Sequence, residues 1–235
     1  MKYIQKQING FEWLIPRLLY SEKSFPAISQ EDTLHSGRSG EDYCLDMFID
    51  ANFCASKVIV DVCSGQGNLD DLAKIADRFI RIDKLYEDNS LVNGLLRKSI
   101  CPDKYTFFAT DSYHLPVPSQ TADLVLENYG LLYYFSDFVF GDYQPINTTL
   151  EDYLDNSSPN VLNAVQQGLF WFLASLGEKI RIGKHGADIL IGPKPYTSRI
   201  QCFDTFIKPS IDLLQKQQIL KDFNWQSGYA HIVKS

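Results

Sequence analysis

Short apolar runs alternate with stretches whose apolar residues recur every three or four positions, and this alternation begins near Lys57. Val58 to Cys63 is apolar and β-branched, which predicts a strand buried on both faces. Leu69 to Ala76 predicts a helix, Phe79 to Asp83 a second strand, and Asn89 to Lys98 a second helix. Tyr105 to Thr110 and Ala122 to Glu127 predict the third and fourth strands. Ser158 to Leu176 predicts a long amphipathic helix, with Ser158 as its cap and Pro159 in its first turn. Ala187 to Gly192 predicts a fifth strand, Ile211 to Phe223 a late helix, and Gly228 to Lys234 a last strand. Such alternation predicts an α/β fold: a doubly wound, mostly parallel Rossmann-like sheet with helices on both faces. Ligands of such sheets bind at the carboxyl ends of the strands, where the strand order reverses.

Residues 1–56 break this pattern. Phe11 to Tyr20 and Asp42 to Phe53 read as helical, and the polar Ser29 to Gly40 reads as a loop between them. The expected organisation is an N-terminal helical and loop cap over 1–56, followed by the main domain over 57–235. A net charge of -7 disfavours nucleic acid as a partner, because it repels phosphate. The basic run Lys179 to His185 (KIRIGKH) reads as a solvated connection. Cys44, Cys54, Cys63, Cys101 and Cys202 are odd in number and contain no CxxC pair, so reduced thiols in a cytosol are expected. The four histidines are scattered, and no metal site is expected. The longest apolar stretch, Leu169 to Leu176, is too short to span a bilayer. With Lys2, Lys6 and Glu12 among the first residues no signal peptide is expected, and the reading is a cytoplasmic protein without a membrane partner. Homo-oligomerisation is compatible with it.

The first candidate chemistry is the loop Asp61-Val62-Cys63-Ser64-Gly65-Gln66-Gly67. Gly65 and Gly67 remove side chains where a ligand must approach the backbone, although loops before helices are also glycine-rich for steric reasons alone. Asp83, at the end of the second strand, is placed to accept from ribose hydroxyls. The third strand is expected to end at Asp111, whose carboxylate suits an adenine amino group. Acidic residues gathered at one sheet edge repel one another, and a cationic ligand relieves that repulsion. A dinucleotide fingerprint needs a third glycine where Asp70 stands, facing the pyrophosphate, so that reading is disfavoured.

The run DVCSGQG resembles the D-x-G-x-G-x-G motif of class I S-adenosylmethionine-dependent methyltransferases. The later run TDSYHLPVPSQTADLVLENYG resembles the same family's stretch from the third-strand acid through its Leu-Pro pair to the fourth strand. The resemblance covers about residues 57–134. It implies S-adenosyl-L-methionine as cofactor and S-adenosyl-L-homocysteine as product. Asp61, Cys63, Ser64, Gly65 and Gly67 would line the methionine half, Asp83 the ribose, and Lys84 and Leu85 the adenine. Asp111 and Ser112 would meet the adenine edge, with Glu127 and Asn128 beside the sulfonium. Cys63 stands where the family has its first glycine, and Ala122 where it has an aromatic residue. Only one strand is legible after the last helix, where the family has two.

The implied activity is methyl transfer to a small molecule. Between Tyr129 and Tyr153 the chain carries eight aromatic residues and four acids, with no Lys or Arg. A lid-like insert over about 129–157 that meets an aromatic, apolar or amine-bearing acceptor is expected. Tyr129, Tyr133 and Tyr134 are the candidates to touch it. His114 is the histidine nearest the expected site; its alternative is an ordinary loop residue. Arg38, in the N-terminal loop, is placed to close over the cofactor carboxylate, the alternative being a solvated loop. A non-catalytic cofactor-binding partner or scaffold is the competing function, as is a protein or RNA acceptor. The N/D-P-P-Y motif of nucleic-acid amino methylation is absent, since ENYG follows the fourth strand.

Overall fold

The structure is a computed structural model that describes residues 57–66, 70–128, 130, 172–192, 208–226 and 229–235. The strands are β1 (Val58–Val62), β2 (Arg78–Ile82), β3 (Tyr105–Phe108), β4 (Ala122–Asn128), β5 (Gly183–Gly192), β6 (Leu220–Gln226) and β7 (Tyr229–Lys234). They form one seven-stranded sheet in the order β3-β2-β1-β4-β5-β7-β6. β1 to β5 run parallel, and β7 is antiparallel to both β5 and β6. The chain winds outward from β1 to β3, then returns to lay β4 on the other side of β1. The strand order therefore reverses between β1 and β4, where Val62 and Glu127 are register partners.

The helices are α1 (Asp70–Ile75), α2 (Asn89–Lys98), α3 (residues 172–182) and α4 (Lys208–Lys216). Leu72 and Ala73 of α1 pack with Ile59, Phe79, Leu124, Leu126 and Leu190 in a buried cluster. Alternate residues of a strand face opposite sides. Leu124 and Leu126 therefore put α1 on one face of β4, while Glu127, which meets Lys179 of α3, puts α3 on the other. The sheet is covered on both faces, as the sequence pattern requires. Asp88 caps α2 by accepting the Ser90 N–H at 2.8 Å, which starts that helix where its periodicity begins.

The far edge of the sheet departs from expectation. The helix predicted over Ile211 to Phe223 ends at Lys216, and β6 occupies its second half. Gln218 adopts φ 59, and Ile219 N–H bonds the Leu214 carbonyl at 3.1 Å, so the chain leaves the helix through a left-handed turn. A bulge between Leu220 and Asp222 disturbs the strand alternation and leaves apolar residues at a helix-like spacing. The sheet thus has two strands after its last helix.

KIRIGKH is no solvated connection. Residues 179–182 complete α3, and Gly183 opens β5 directly, four residues before the expected start. A Cβ at Gly183 would stand 3.2 Å from the Ala187 Cβ, so the helix-to-strand junction is closely packed and a side chain there would require a shift of a few tenths of an ångström. β3 ends at Phe108, not Asp111, because Asp111 opens a turn in which its carboxylate accepts the Tyr113 N–H at 3.0 Å. Among the described residues no helix is long and apolar enough to cross a membrane. The expected cap over 1–56 and the start of the long helix at Ser158 lie outside the described residues, as does the insert over 129–157 apart from Gly130.

Candidate functional site

The crevice at the carboxyl ends of β1 and β4 is built around the loop after β1. Cys63 and Gly65 adopt φ 58 and φ 53, two left-handed residues separated by one. The turn is held to β2 by the Ser64 N–H, which donates to the Ile82 carbonyl at 3.2 Å. Gly65 N–H donates to Asp83 Oδ2 at 2.8 Å, and the Tyr86 hydroxyl donates to the Gly65 carbonyl at 2.7 Å. Leu85 N–H occupies Asp83 Oδ1 at 2.9 Å. Among the described residues nothing lies within 4 Å of where a Cβ on Gly65 would be. Glycine takes that backbone angle without the strain that a side chain adds, and among the described residues the space beside it is open.

Arg81 fastens the same loop from below. Its Nε donates to Ser64 Oγ at 2.6 Å, and its Nη2 to the Ser64 carbonyl at 3.0 Å. The guanidinium lies 5.9 Å from the Tyr86 ring centre and 5.8 Å from that of Phe107, within cation–π range. Ser64 Oγ donates to Asp61, which is also 3.9 Å from Arg81 Nε. Burial pushes the Asp61 carboxyl up to about 6; Arg81 and Ser64 oppose this, while Asp83 and Glu127 add to it. Burial also raises the Cys63 thiol, which disfavours its thiolate.

On the β4 side, Glu127 is fully enclosed. Lys179 Nζ lies 2.5 Å from its Oε2, and neither side chain has exposed surface. Lys179 also donates to Ser175 Oγ, one helical turn earlier. A Cβ on Gly130 would fall 2.5 Å from Glu127 Oε1, so the bend after β4 tolerates only glycine while Glu127 keeps this position. The three carboxylates Asp61, Asp83 and Glu127 share two cations, Arg81 and Lys179. The repulsion expected among the acids is thus largely met from within the protein.

The loop carrying the Leu115-Pro116 run is strapped to α3. Leu115 N–H donates to Glu178 Oε2 at 2.8 Å, and Arg181 donates to the carbonyls of Leu115 and Val117 at 2.8 and 2.9 Å. Arg181 is itself paired with Glu178 at 2.7 Å. Ser112 is buried and Asp111 half-buried at the mouth of this loop. His114 is exposed, and its carbonyl accepts from Thr110.

The structure thus brings Asp61, Cys63, Ser64, Gly65 and Asp83 together, with Lys84 and Leu85 beside them on the turn after β2. It places Glu127 and Asn128 at the end of β4, the latter paired with Gly192 of β5. Gly67, Arg38, Tyr129, Tyr133 and Tyr134 lie outside the described residues. Sequence reasoning missed Arg81, Tyr86, Gly130 and Lys179. A charge set between apolar residues in the strand RFIRI was the available signal for Arg81. For Lys179 it was the apolar helix leading to it. A cleft of about 530 Å³ opens off the crevice at Gln66 and Leu85 and runs between α2 and the aromatic face of β3 at Tyr105 and Phe107. The crevice between β1 and β4, where the polar groups converge, is the better candidate for chemistry.

No protein-family model matches the chain, and no curated protein matches it. Solved structures to which it is similar include N-methyltransferase NodS from Bradyrhizobium japonicum WM9 in complex with S-adenosyl-L-homocysteine. That similarity has 11% identity over 95% of this chain and 97% of that one, with a TM-score of 0.46. A SAM-dependent methyltransferase from Aquifex aeolicus is 16% identical over 77% and 84% of the two chains, with a TM-score of 0.42. The YcgJ protein from Bacillus subtilis is 12% identical over 77% and 69%, with a TM-score of 0.48.

Proposed function

We propose that this chain is a class I S-adenosylmethionine-dependent methyltransferase acting on a small-molecule acceptor. The observation that carries the reading is the bond from the Gly65 N–H to Asp83, on the β2 side of the crevice at which the strand order reverses. It joins a glycine-bearing turn, beside which the described residues leave open space, to a carboxylate at the next strand end. The residues fit the cofactor. Asp83 gives one lone pair on each oxygen to a backbone N–H and keeps others for a pair of ribose hydroxyls. Carboxylates at the ends of β1, β2 and β4 suit a sulfonium or ammonium better than a phosphate. The two strands that follow the last helix remove the one topological departure that the sequence suggested.

The chemistry that the cofactor supplies is an electrophilic methyl group on a sulfonium. The chain's own part is to hold that group and to align an acceptor with it while excluding water. Asp61, Ser64 and Arg81 fix the loop that would carry the methionine half, and Asp83 orients the ribose. Asp111 and Ser112 flank the adenine. The aromatic and acidic composition of 129–157 favours an aromatic, apolar or amine-bearing acceptor, met by Tyr129, Tyr133 and Tyr134. His114 and Arg38 are assigned supporting roles on the adenine and carboxylate sides, and the protein is assigned to the cytoplasm.

Titration calorimetry with S-adenosylmethionine tests the cofactor. Saturable binding that falls at least ten-fold in Asp83→Ala is expected, and a folded protein that binds neither this molecule nor S-adenosylhomocysteine overturns the reading. Release of S-adenosylhomocysteine over a panel of amines, phenols and carboxylic acids then identifies the acceptor class.

A further inference from the structure

Residues 109–121 join β3 to β4 without a helix or strand of their own. Their shape is set instead by the end of α3. Glu178 Oε2 accepts the Leu115 N–H, while Arg181 donates from Nη2 to the Leu115 carbonyl and from Nη1 to the Val117 carbonyl. Glu178 aims the guanidinium, taking Nε on one carboxylate oxygen at 2.7 Å and Nη2 on the other at 2.8 Å. The Leu115 and Val117 side chains are buried, which anchors the clamped stretch a second time. Upstream, Asp111 is tied to Leu115 through a closed turn. Asp111 Oδ1 accepts the Tyr113 N–H at 3.0 Å, and the Thr110 hydroxyl donates to the His114 carbonyl at 3.3 Å. A displacement of Leu115 is therefore carried to Asp111. The same stretch leaves the sheet beside the candidate ribose acid, because the Phe108 carbonyl accepts the Asp83 N–H at 3.1 Å.

We propose that Arg181, aimed by Glu178, is a positioning residue for base recognition: it fixes the segment after β3 so that Asp111 stands where the amino group of an adenine falls when Asp83 holds the ribose. This rests on the reading of the chain as an S-adenosylmethionine-dependent methyltransferase. Arg181 touches the loop and not the ligand. A carboxylate discriminates bases only if the donor meets it in line and at bonding distance, since hydrogen bonds weaken steeply with angle and separation. A loop free to shift by about 1 Å loses that discrimination. The ribose contact does not depend on the clamp, because Asp83 is held by the Gly65 and Leu85 N–H groups. Loss of Arg181 therefore acts on one part of the ligand and spares another.

The test compares S-adenosylhomocysteine with its analogue in which hydrogen replaces the 6-amino group of the base, by calorimetry on the full chain. The wild type is expected to bind the parent about ten-fold more tightly, the effect of one bond to a partly exposed carboxylate. In Arg181→Ala the two dissociation constants are expected to come within about two-fold of each other, with the analogue's own constant changed by less than about three-fold. A merely structural role would weaken both ligands alike and leave the ratio as it was. In Arg181→Lys the ratio is expected to be about three-fold, because an ammonium lacks the planar fork that bonds Glu178 and both carbonyls together. Asp111→Ala is expected to abolish the ratio, and adding Arg181→Ala to it should change the ratio by less than about two-fold. A further fall in that double variant overturns the proposal, since Arg181 would then act elsewhere. An unchanged ratio in Arg181→Ala, or in Arg181→Lys where the alanine variant does not fold, overturns it too. A wild type that binds both ligands equally overturns the proposal and leaves the methyltransferase reading standing. A wild type that binds neither S-adenosylmethionine nor S-adenosylhomocysteine overturns both.

Discussion

The Asp83 carboxylate spans two turns at once: Oδ2 accepts the Gly65 N–H at 2.8 Å and Oδ1 the Leu85 N–H at 2.9 Å. One side chain thus shapes the loop after β1 and the turn after β2. Asp83→Ala removes both acceptors and is expected to cost about 1–3 kcal/mol of stability, as well as ligand affinity. Asp83→Asn keeps one carbonyl acceptor and should recover most of the stability but not the affinity. Denaturant unfolding beside calorimetry separates the two effects. Equal recovery of both would show that the negative charge is not needed.

Cys63 holds a left-handed backbone at φ 58, a conformation that costs a residue with a Cβ about 1–2 kcal/mol. Burial disfavours its thiolate, and the side chain is given no part in the proposed chemistry. Cys63→Gly is expected to relieve that strain, with a net gain of up to about 1 kcal/mol after the flexible unfolded chain is counted. Urea unfolding at neutral pH reads it. A clear loss of stability would mean that the thiol's packing outweighs the strain.

At Gly130 a methyl group would meet Glu127 Oε1 at 2.5 Å, Cγ at 2.7 Å and Cδ at 2.8 Å. The carboxylate cannot yield freely, because Lys179 holds it. Gly130→Ala is expected to destabilise by about 1–3 kcal/mol, as overpacking does. Shortening the partner in a Gly130→Ala, Glu127→Ala double variant should then cost less than the two single changes together. Additive costs would show that the two residues do not press on one another.

Burial raises the Asp61 carboxyl from the usual 3.8 to about 6, so the folded state holds its proton more tightly than the unfolded chain. The contribution of Asp61 to stability is then greatest below about pH 4. It declines as pH rises towards 6, by up to about 3 kcal/mol, and stays low above that. Asp61→Asn should remove this slope between pH 4 and 6, which urea titrations across that range measure. A cation bound in the crevice favours the ionised carboxylate, so its affinity should rise with pH over the same interval. An unchanged slope in Asp61→Asn would assign the proton uptake elsewhere.

Arg181 ties two carbonyls of the Leu115–Val117 segment to α3 and pairs with Glu178. Arg181→Ala is expected to cost about 2–3 kcal/mol, because it leaves Glu178 and two carbonyls without their charged donor. Faster hydrogen exchange should follow at the Leu115 amide, which donates to Glu178. Exchange unchanged there would mean that Glu178 alone holds the loop.

The periodicity of the chain was sufficient for β1, β2, β4 and α2, and for the parallel winding of the sheet, because those elements bury regular faces. It failed at Leu220 to Gln226, where a bulge and a left-handed Gln218 gave a strand the spacing of a helix. It failed again at KIRIGKH, where a basic run looked solvated although its first lysine is enclosed.

The sequence by itself determined the glycine-bearing turn and the acid at the end of the second strand, since both follow from local chain geometry and residue type. It also determined that acidic residues would gather at one sheet edge. Only the tertiary structure decided what that gathering means. Arg81 and Lys179 reach the carboxylates from the middle of a strand and from the far face of the sheet, and neither approach has a signature in local spacing. Ion pairs between residues distant in sequence form only once the strands are in register. The charge of the crevice is therefore a property of the fold and not of the motif.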